Sequence, residues 1–160
     1  FKHHIGRYIF QCGLATFFFL TVLFFINALT HSAVIASLGA TSFIVFTRPK
    51  WYSSTPRRLF GGYFVGMTVG IICYFLSELS FFSSILTTFR MSSIFWGAFA
   101  VGLAIFIMVV TDTEHPPAAG VALGLVIGEW DILTVVFICC ALLFMYLLKR
   151  LFYPLLIDLI

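Results

Sequence analysis

The stretch TDTEHPPAAGVALGLVIGEWD, residues 111–131, is the part of the sequence that decides the fold. A polar turn leads into two prolines and an apolar run at 117–128, and Glu129, Trp130 and Asp131 end that run. As a helix the run would be about 18 Å long, whereas the hydrocarbon core of a bilayer is about 30 Å thick. The stretch is therefore typical of a short or broken helix inside a polytopic membrane protein.

The composition places the whole chain in a membrane. Of its 160 residues, 62% are hydrophobic and 9% are charged, whereas soluble domains carry about 25% charged residues. The net charge of +3 is too small and too scattered for a nucleic-acid binder, which needs a basic groove interleaved with aromatic side chains. We therefore expect a single transmembrane domain over residues 1–160, and neither a soluble enzyme nor a partner of nucleic acid.

Further apolar runs predict an all-α polytopic fold with six membrane segments. Four runs reach spanning length and lie at residues 8–29, 59–77, 92–110 and 132–148. A second short run at 32–47 would be about 24 Å long as a helix and is followed by Arg48 and Pro49. The chain therefore alternates between long and short segments.

The order long, short, long occurs twice, which predicts two inverted three-helix repeats at about 8–77 and 92–150, each with one short helix. If both short segments cross, only Arg90 lies apart from the other basic residues, which are Lys2, Arg7, Arg48, Lys50, Arg57, Arg58, Lys149 and Arg150. If both segments are re-entrant, the basic residues of 48–58 change sides and this asymmetry disappears. The positive-inside rule therefore favours six crossings, with both termini on the cytoplasmic or stromal side.

The inverted-repeat plan also predicts where a ligand binds. In that plan the short helices begin inside the membrane, and their N–H groups face a shared site near the midplane. No spanning run contains Lys or Arg, so the charge at the site is about half a positive unit from each helix N-terminus. This charge suits a small monovalent anion better than a cation or a polyvalent anion.

The second short helix supplies most of the predicted binding residues, which are His115, Pro116, Pro117, Ala118, Ala119 and Gly120. Proline in a first helical turn loses no intrahelical hydrogen bond, and the small residues that follow leave the backbone open to a ligand. Two simpler interpretations stay open. The prolines could only mark a helix start, and His115 could be a packing residue, although an ionisable group at a membrane helix break favours binding or gating.

The first repeat offers three weaker candidates. Ser32 is a possible N-cap of the first short helix and His31 a second titratable group, although an ordinary cap also explains this pair. Arg57 either snorkels at the interface or draws anions to the entrance. The cysteines lie in apolar runs without metal or redox spacing, so we expect no metal and no cofactor.

Two sets of glycines spaced four residues apart predict close helix packing. They lie at 62, 66 and 70 and at 120, 124 and 128. Such small faces let another helix backbone approach, either within one protomer or between protomers. We therefore also expect a homo-oligomer.

With these residues in view, the sequence resembles the HPP family of integral membrane proteins. The resemblance rests on the blocks 37–46, Pro56-Arg57 with Gly61-Gly62, and 115–120, and it covers about residues 30–130. It implies four transmembrane helices and transport, with plant plastid members linked to nitrite. Ala119 stands where a glycine is expected, which leaves the binding register open. We keep six crossings because of the basic-residue asymmetry.

The predicted function is transport of a small monovalent anion, with nitrite as the first candidate, in a bacterial cytoplasmic membrane or a plastid inner envelope. One alternative is a non-transporting membrane anchor or assembly module. A second is a membrane-embedded enzyme that uses His31 and His115. The spanning runs show no nucleophile, metal cluster or carboxylate dyad for catalysis, so we do not expect an enzyme.

Overall fold

Six helices lie in the residues described by the structure, a computed structural model that covers 5–25, 32–79, 89–128 and 131–159. The long helices are α1 (Ile5–Phe25), α3 (Pro56–Glu78), α4 (Phe89–Val110) and α6 (Ile132–Phe152), and the short helices are α2 (Ser32–Thr47) and α5 (Pro116–Ile127). These residues contain no strand. Each predicted run therefore forms a helix close to its predicted bounds, and the all-α fold is confirmed.

Four helices are long and apolar enough to cross a membrane, and they lie at Ile5–Phe25, Pro56–Glu78, Ser92–Val110 and Ile132–Leu155. The 16 residues of α2 and the 12 residues of α5 give lengths of only about 24 Å and 18 Å. The number of long helices equals the number that the family resemblance implies. Crossing by α2 and α5, and hence the count of six, stays a prediction.

The short helix α5 lies at the centre of the bundle, between α2, α3 and α4. A Cβ atom on Gly70 of α3 would come within 3.0 Å of the Ala122 backbone, and one on Gly66 would strike the carbonyl oxygen of Ala118. On the opposite side of α5, Gly124 lies against Val34 of α2. The glycine faces therefore act inside the protomer, as one of the two predicted arrangements requires.

The predicted inverted repeats differ in their packing. Helix α3 contacts α5 along the whole glycine face, whereas its counterpart α6 makes few contacts with α2. Helix α6 lies instead near α1, where the rings of Phe18 and Phe144 stack with centroids 6.0 Å apart. The inverted-repeat relation consequently stays a prediction.

One end of the bundle collects most of the described cations. We call it the basic end, defined by Arg48, Lys50, Arg57, Arg58, Lys149 and Arg150.

The chain after α6 folds back across this end, since the Leu159 N–H donates to the Thr47 carbonyl over 2.8 Å. Buried Gln11 of α1 donates from Nε2 to the carbonyls of Phe46 and Ile157, at 2.6 and 2.8 Å. Residues 157–159 thus tie α1 to the end of α2.

Candidate functional site

The predicted binding motif directly follows the turn between α4 and α5. This is a Schellman turn, in which the Thr113 N–H donates to the Met108 carbonyl over 2.9 Å and the Asp112 N–H donates to the Val109 carbonyl over 3.3 Å. Asp112 has a φ of 55°, at the position where helix ends usually carry glycine and where aspartate is tolerated. The chain therefore reverses sharply after α4.

Two adjacent glycines of α3 let this turn lie directly on the helix. A Cβ atom on Gly61 would lie 2.6 Å from Cγ2 of Thr113, and one on Gly62 would lie 2.7 Å from Cβ of His115. Larger residues at 61 and 62 would therefore push the turn outwards. With the glycines in place, the His115 side chain is completely buried.

The buried imidazole of His115 joins three elements through hydrogen bonds. Its Nε2 lies 2.9 Å from Oγ1 of Thr41 in α2, and its Nδ1 lies 3.0 Å from the carbonyl oxygen of Ser53. The Thr41 hydroxyl lies 2.8 Å from the hydroxyl of Tyr63 in α3, which is also fully buried. We call Tyr63, Thr41 and His115 the polar chain.

The chemistry of these atoms fixes the direction of every hydrogen bond. The Ser53 carbonyl can only accept, so Nδ1 of His115 carries a proton and donates. In the neutral ring Nε2 then accepts from the Thr41 hydroxyl, which in turn accepts from Tyr63. The polar chain is therefore fully paired while His115 is neutral.

Burial keeps His115 neutral at ordinary pH. His115 precedes α5 and lies outside the four long helices, and burial lowers its pKa to about 4, against a smaller opposing effect of the hydrogen bond to Ser53. We therefore expect no titration of His115 near neutrality. Proton coupling through this ring would need a state in which the ring is exposed.

This pKa leads to a pH dependence of stability. Between pH 6.5 and about 4 the unfolded chain binds a proton at His115 and the folded chain does not, so stability falls as the pH is lowered through that window. The loss is on the order of 3 kcal/mol. Melting in detergent at a series of pH values should show a steeper acid decline for the parent protein than for His115→Gln. Equal slopes in the two proteins would contradict a buried neutral imidazole.

The first turn of α5 has no free backbone donor for an anion within residues 116–118. Pro116 and Pro117 lack an N–H, and the Ala118 N–H donates to the His115 carbonyl over 2.9 Å. The Pro117 carbonyl accepts from the Ser37 hydroxyl of α2. These three residues therefore offer an anion no unpaired amide, because the prolines that start the helix also lack an N–H. Ligand binding at the motif stays a prediction.

The N-termini of the two short helices do not converge. Helices α2 and α5 run antiparallel side by side, with Val34 against Gly124 and Thr41 against His115. Ser32 is exposed and lies about 13 Å along the helix axis from Thr41. The two helices overlap along their lengths instead of meeting end to end, so their N-termini lie at opposite ends of the pair and the predicted site between them is not supported.

The polar chain lies in the half of the bundle next to the basic end, between that end and the middle. Tyr63 is separated by seven positions from the start of α3, or about 10 Å, in a helix of 23 residues that is about 34 Å long. The residues of the predicted binding motif differ in their exposure. His115, Ala118 and Ala119 are buried and Gly120 contacts Ser37, whereas Pro116 is exposed. His31 lies outside the described residues.

A surface cluster at the basic end positions the Ser53 carbonyl. The carboxylate of Asp112 accepts from Tyr52 over 2.9 Å and from Arg58 over 2.5 Å, and these hydrogen bonds hold the pKa of Asp112 below its usual value. Arg57 donates to the Thr111 carbonyl over 3.2 Å, which satisfies an acceptor at the end of α4. The cluster thus fastens the loop that carries Ser53 to the turn that carries the histidine.

Sequence reasoning missed the polar residues that bind the motif, namely Ser37 at Pro117 and Thr41 at His115. Ser37 and Thr41 lie four positions apart on one face of α2 and belong to the block 37–46 that carried the family resemblance. That shared membership was the available signal, since residues from separate blocks of one family often meet in the fold. Tyr63 had no such signal, because tyrosine in an apolar run is usual in membrane helices.

Comparison with known proteins gives one match. The family model described as "HPP, transmembrane region" matches residues 2–154. No curated protein and no solved structure matches the chain.

Proposed function

Because this chain belongs to the HPP family of transmembrane proteins, we propose that it transports a small monovalent anion, with nitrite as the first substrate to test. The supporting observation is the buried polar chain of Tyr63, Thr41 and His115 beneath the basic end. An ionisable side chain such as that of His115 is costly to bury in a membrane protein and is therefore a candidate for the substrate path. The proposal involves no chemical change in the substrate.

The electrostatics of this region suit an anion of single charge. The cations of the basic end attract anions towards the polar chain, and the N-terminal end of α5 adds a partial positive charge. Neither α2 nor α5 carries a charged residue. The hydroxyls of Thr41 and Tyr63 can rotate to donate to a passing anion, and without a fixed positive charge beside them the anion is also released readily.

Transport requires movement, because the polar chain is closed in this structure. Its hydrogen bonds are internal. It touches neither of two surface cavities, one lined by residues of α1 and α6 and one at the basic end. The surface between Gly66 and Ala118 consists of small groups, along which α5 can shift relative to α3. In this proposal a shift of α5 away from α2 opens the path and separates His115 from Thr41.

We place the basic end on the cytoplasmic or stromal side by the positive-inside rule, in a bacterial cytoplasmic membrane or a plastid inner envelope. Both short helices cross in this arrangement, and homo-oligomers form through lipid-facing surfaces.

The second candidate function is a non-transporting membrane anchor or assembly module. The observation that favours it is the complete internal pairing of the polar chain, which equally suits a packing role.

Uptake into proteoliposomes separates the two functions. We expect the parent protein to accumulate nitrite above the level of empty vesicles, and we expect Thr41→Val to lose most of that uptake because it removes the central hydroxyl. The matched control is Thr16→Val, since the exposed Thr16 hydroxyl donates only to the Cys12 carbonyl of its own helix in this structure. Nitrate and chloride test selectivity.

The outcomes are distinct. Uptake that is retained in Thr16→Val and lost in Thr41→Val, with both variants eluting as folded protein from gel filtration, supports transport along the polar chain. Uptake equal to that of empty vesicles under every gradient moves the assignment to the anchor or assembly module.

A further inference from the structure

A cavity of about 360 Å³ opens at the basic end, away from the polar chain. Three cationic side chains line it, those of Lys50, Lys149 and Arg150. The volume falls within the range of small-molecule sites, about 300–1,000 Å³. Three such cations attract an anion unless carboxylates neutralise them.

Among the described residues no carboxylate forms an ion pair with Lys50, Lys149 or Arg150. The ion pairs in that part of the chain join Arg57 and Arg58 to Asp112. Asp158 is the carboxylate that approaches this side of the bundle, and its Oδ1 accepts from the backbone N–H of Lys50 over 3.1 Å. Asp158 does not line the cavity, although its charge acts on Lys149. One carboxylate near three cations still leaves the cavity an excess of positive charge.

The cation of Lys149 is held in place rather than free to sample solvent. Its side chain is 7% exposed, and Nζ donates to the Ser54 carbonyl over 2.5 Å. An ammonium group has three donors, so two remain for a ligand after this bond. A buried, oriented ammonium beside two further cations is a suitable arrangement for oxygen atoms that carry negative charge.

Aromatic side chains complete the wall and indicate depth in the membrane. Trp51, Tyr146 and Tyr153 line the cavity, and the guanidinium of Arg48 lies 4.4 Å from the centroid of the Trp51 ring. Tryptophan and tyrosine collect at the headgroup level of a bilayer. The cavity thus combines positive charge with a position where lipid phosphates lie, as in other basic pockets between membrane helices that bind anionic headgroups.

We propose that this cavity binds a phosphate group, carried by the headgroup of an anionic phospholipid. The aromatic wall contacts the glycerol and upper acyl region, and the cations contact the phosphate oxygens. Occupancy joins the loop at 49–56 to the end of α6, since the cavity is lined from both. Bound lipid therefore stabilises the fold against thermal unfolding.

The test is a titration of the purified 160-residue chain in neutral detergent. Phosphatidylglycerol is added in one arm, phosphatidylcholine in a second and inorganic phosphate in a third, and the melting temperature is recorded at each concentration. We expect a saturable rise with phosphatidylglycerol and none with phosphatidylcholine. Lys50→Gln and Arg150→Gln should each weaken the apparent affinity about fivefold, the usual contribution of one cation near a lipid surface.

The control is Arg7→Gln, which removes one exposed positive charge from α1 without touching the cavity. Unchanged affinity in that variant supports a defined site. Equal weakening in all three variants would mean diffuse attraction to the basic end and would overturn the site. The absence of a rise with both phosphatidylglycerol and inorganic phosphate would also overturn it. An equal rise with inorganic phosphate would keep the site but overturn the lipid as its source.

Discussion

Gly66→Ala is expected to destabilise the bundle by about 3 kcal/mol, at the upper end of the usual range for overpacking. The added methyl group would strike the carbonyl oxygen of Ala118, which belongs to the backbone of α5 and has no rotamer by which to move aside. Helix α5 would have to separate from α3 along its length. The variant should melt at a clearly lower temperature in detergent than the parent protein.

Gly102→Ala supplies the matched control for this substitution. Gly102 lies in α4, and a Cβ atom built there meets nothing within 4 Å. Alanine has a better helix propensity than glycine by about 1 kcal/mol, so this variant should be as stable as the parent protein or more stable. The reverse ranking of the two variants in parallel melts would rule out the close contact between α3 and α5.

Thr41→Val is expected to cost more than Tyr63→Phe, although each substitution removes a single hydroxyl. Valine at 41 deprives Nε2 of His115 of its donor and Tyr63 of its acceptor, which together cost about 3 kcal/mol. Phenylalanine at 63 removes one donor and leaves the bond from Thr41 to His115 intact, at a cost of about 1 kcal/mol. The difference follows from the direction of the hydrogen bonds.

A double-mutant cycle measures this difference by denaturant or thermal unfolding in detergent. Tyr63→Phe should cost almost nothing in the Thr41→Val background, because the tyrosine hydroxyl has already lost that partner. Thr41→Ser, which keeps the hydroxyl, should recover most of the stability. Additive costs, or a larger cost for Tyr63→Phe alone, would show that the polar chain does not carry its bonds in the stated direction.

The helices of this fold could be predicted from the sequence, because their boundaries are local. Arg48 and Pro49 follow α2, and Pro116 starts α5. The glycine spacing on α3 likewise indicated a close neighbour, and the structure identifies that neighbour as α5. Length, charge and glycine spacing are properties of single segments, so a single sequence contains them.

The arrangement of the site could not be predicted in the same way. Thr41 and His115 are 74 positions apart, and nothing in either segment shows that α2 and α5 lie side by side rather than end to end. The proline pair of the motif also has two opposite effects. It fixes the start of α5, as expected, but removes the amides that the predicted anion site needed.

The hydrogen bonds that residues 157–159 make with α1 and α2 have a consequence for biogenesis. Helix α1 is the first of the described helices to leave the ribosome, yet buried Gln11 finds one of its partners only at Ile157. The Tyr8 hydroxyl likewise donates to the Leu159 carbonyl over 3.0 Å. During synthesis α1 can therefore enter the membrane early but stays incompletely docked, with its amide side chain short of a partner, until nearly all of this chain has been translated.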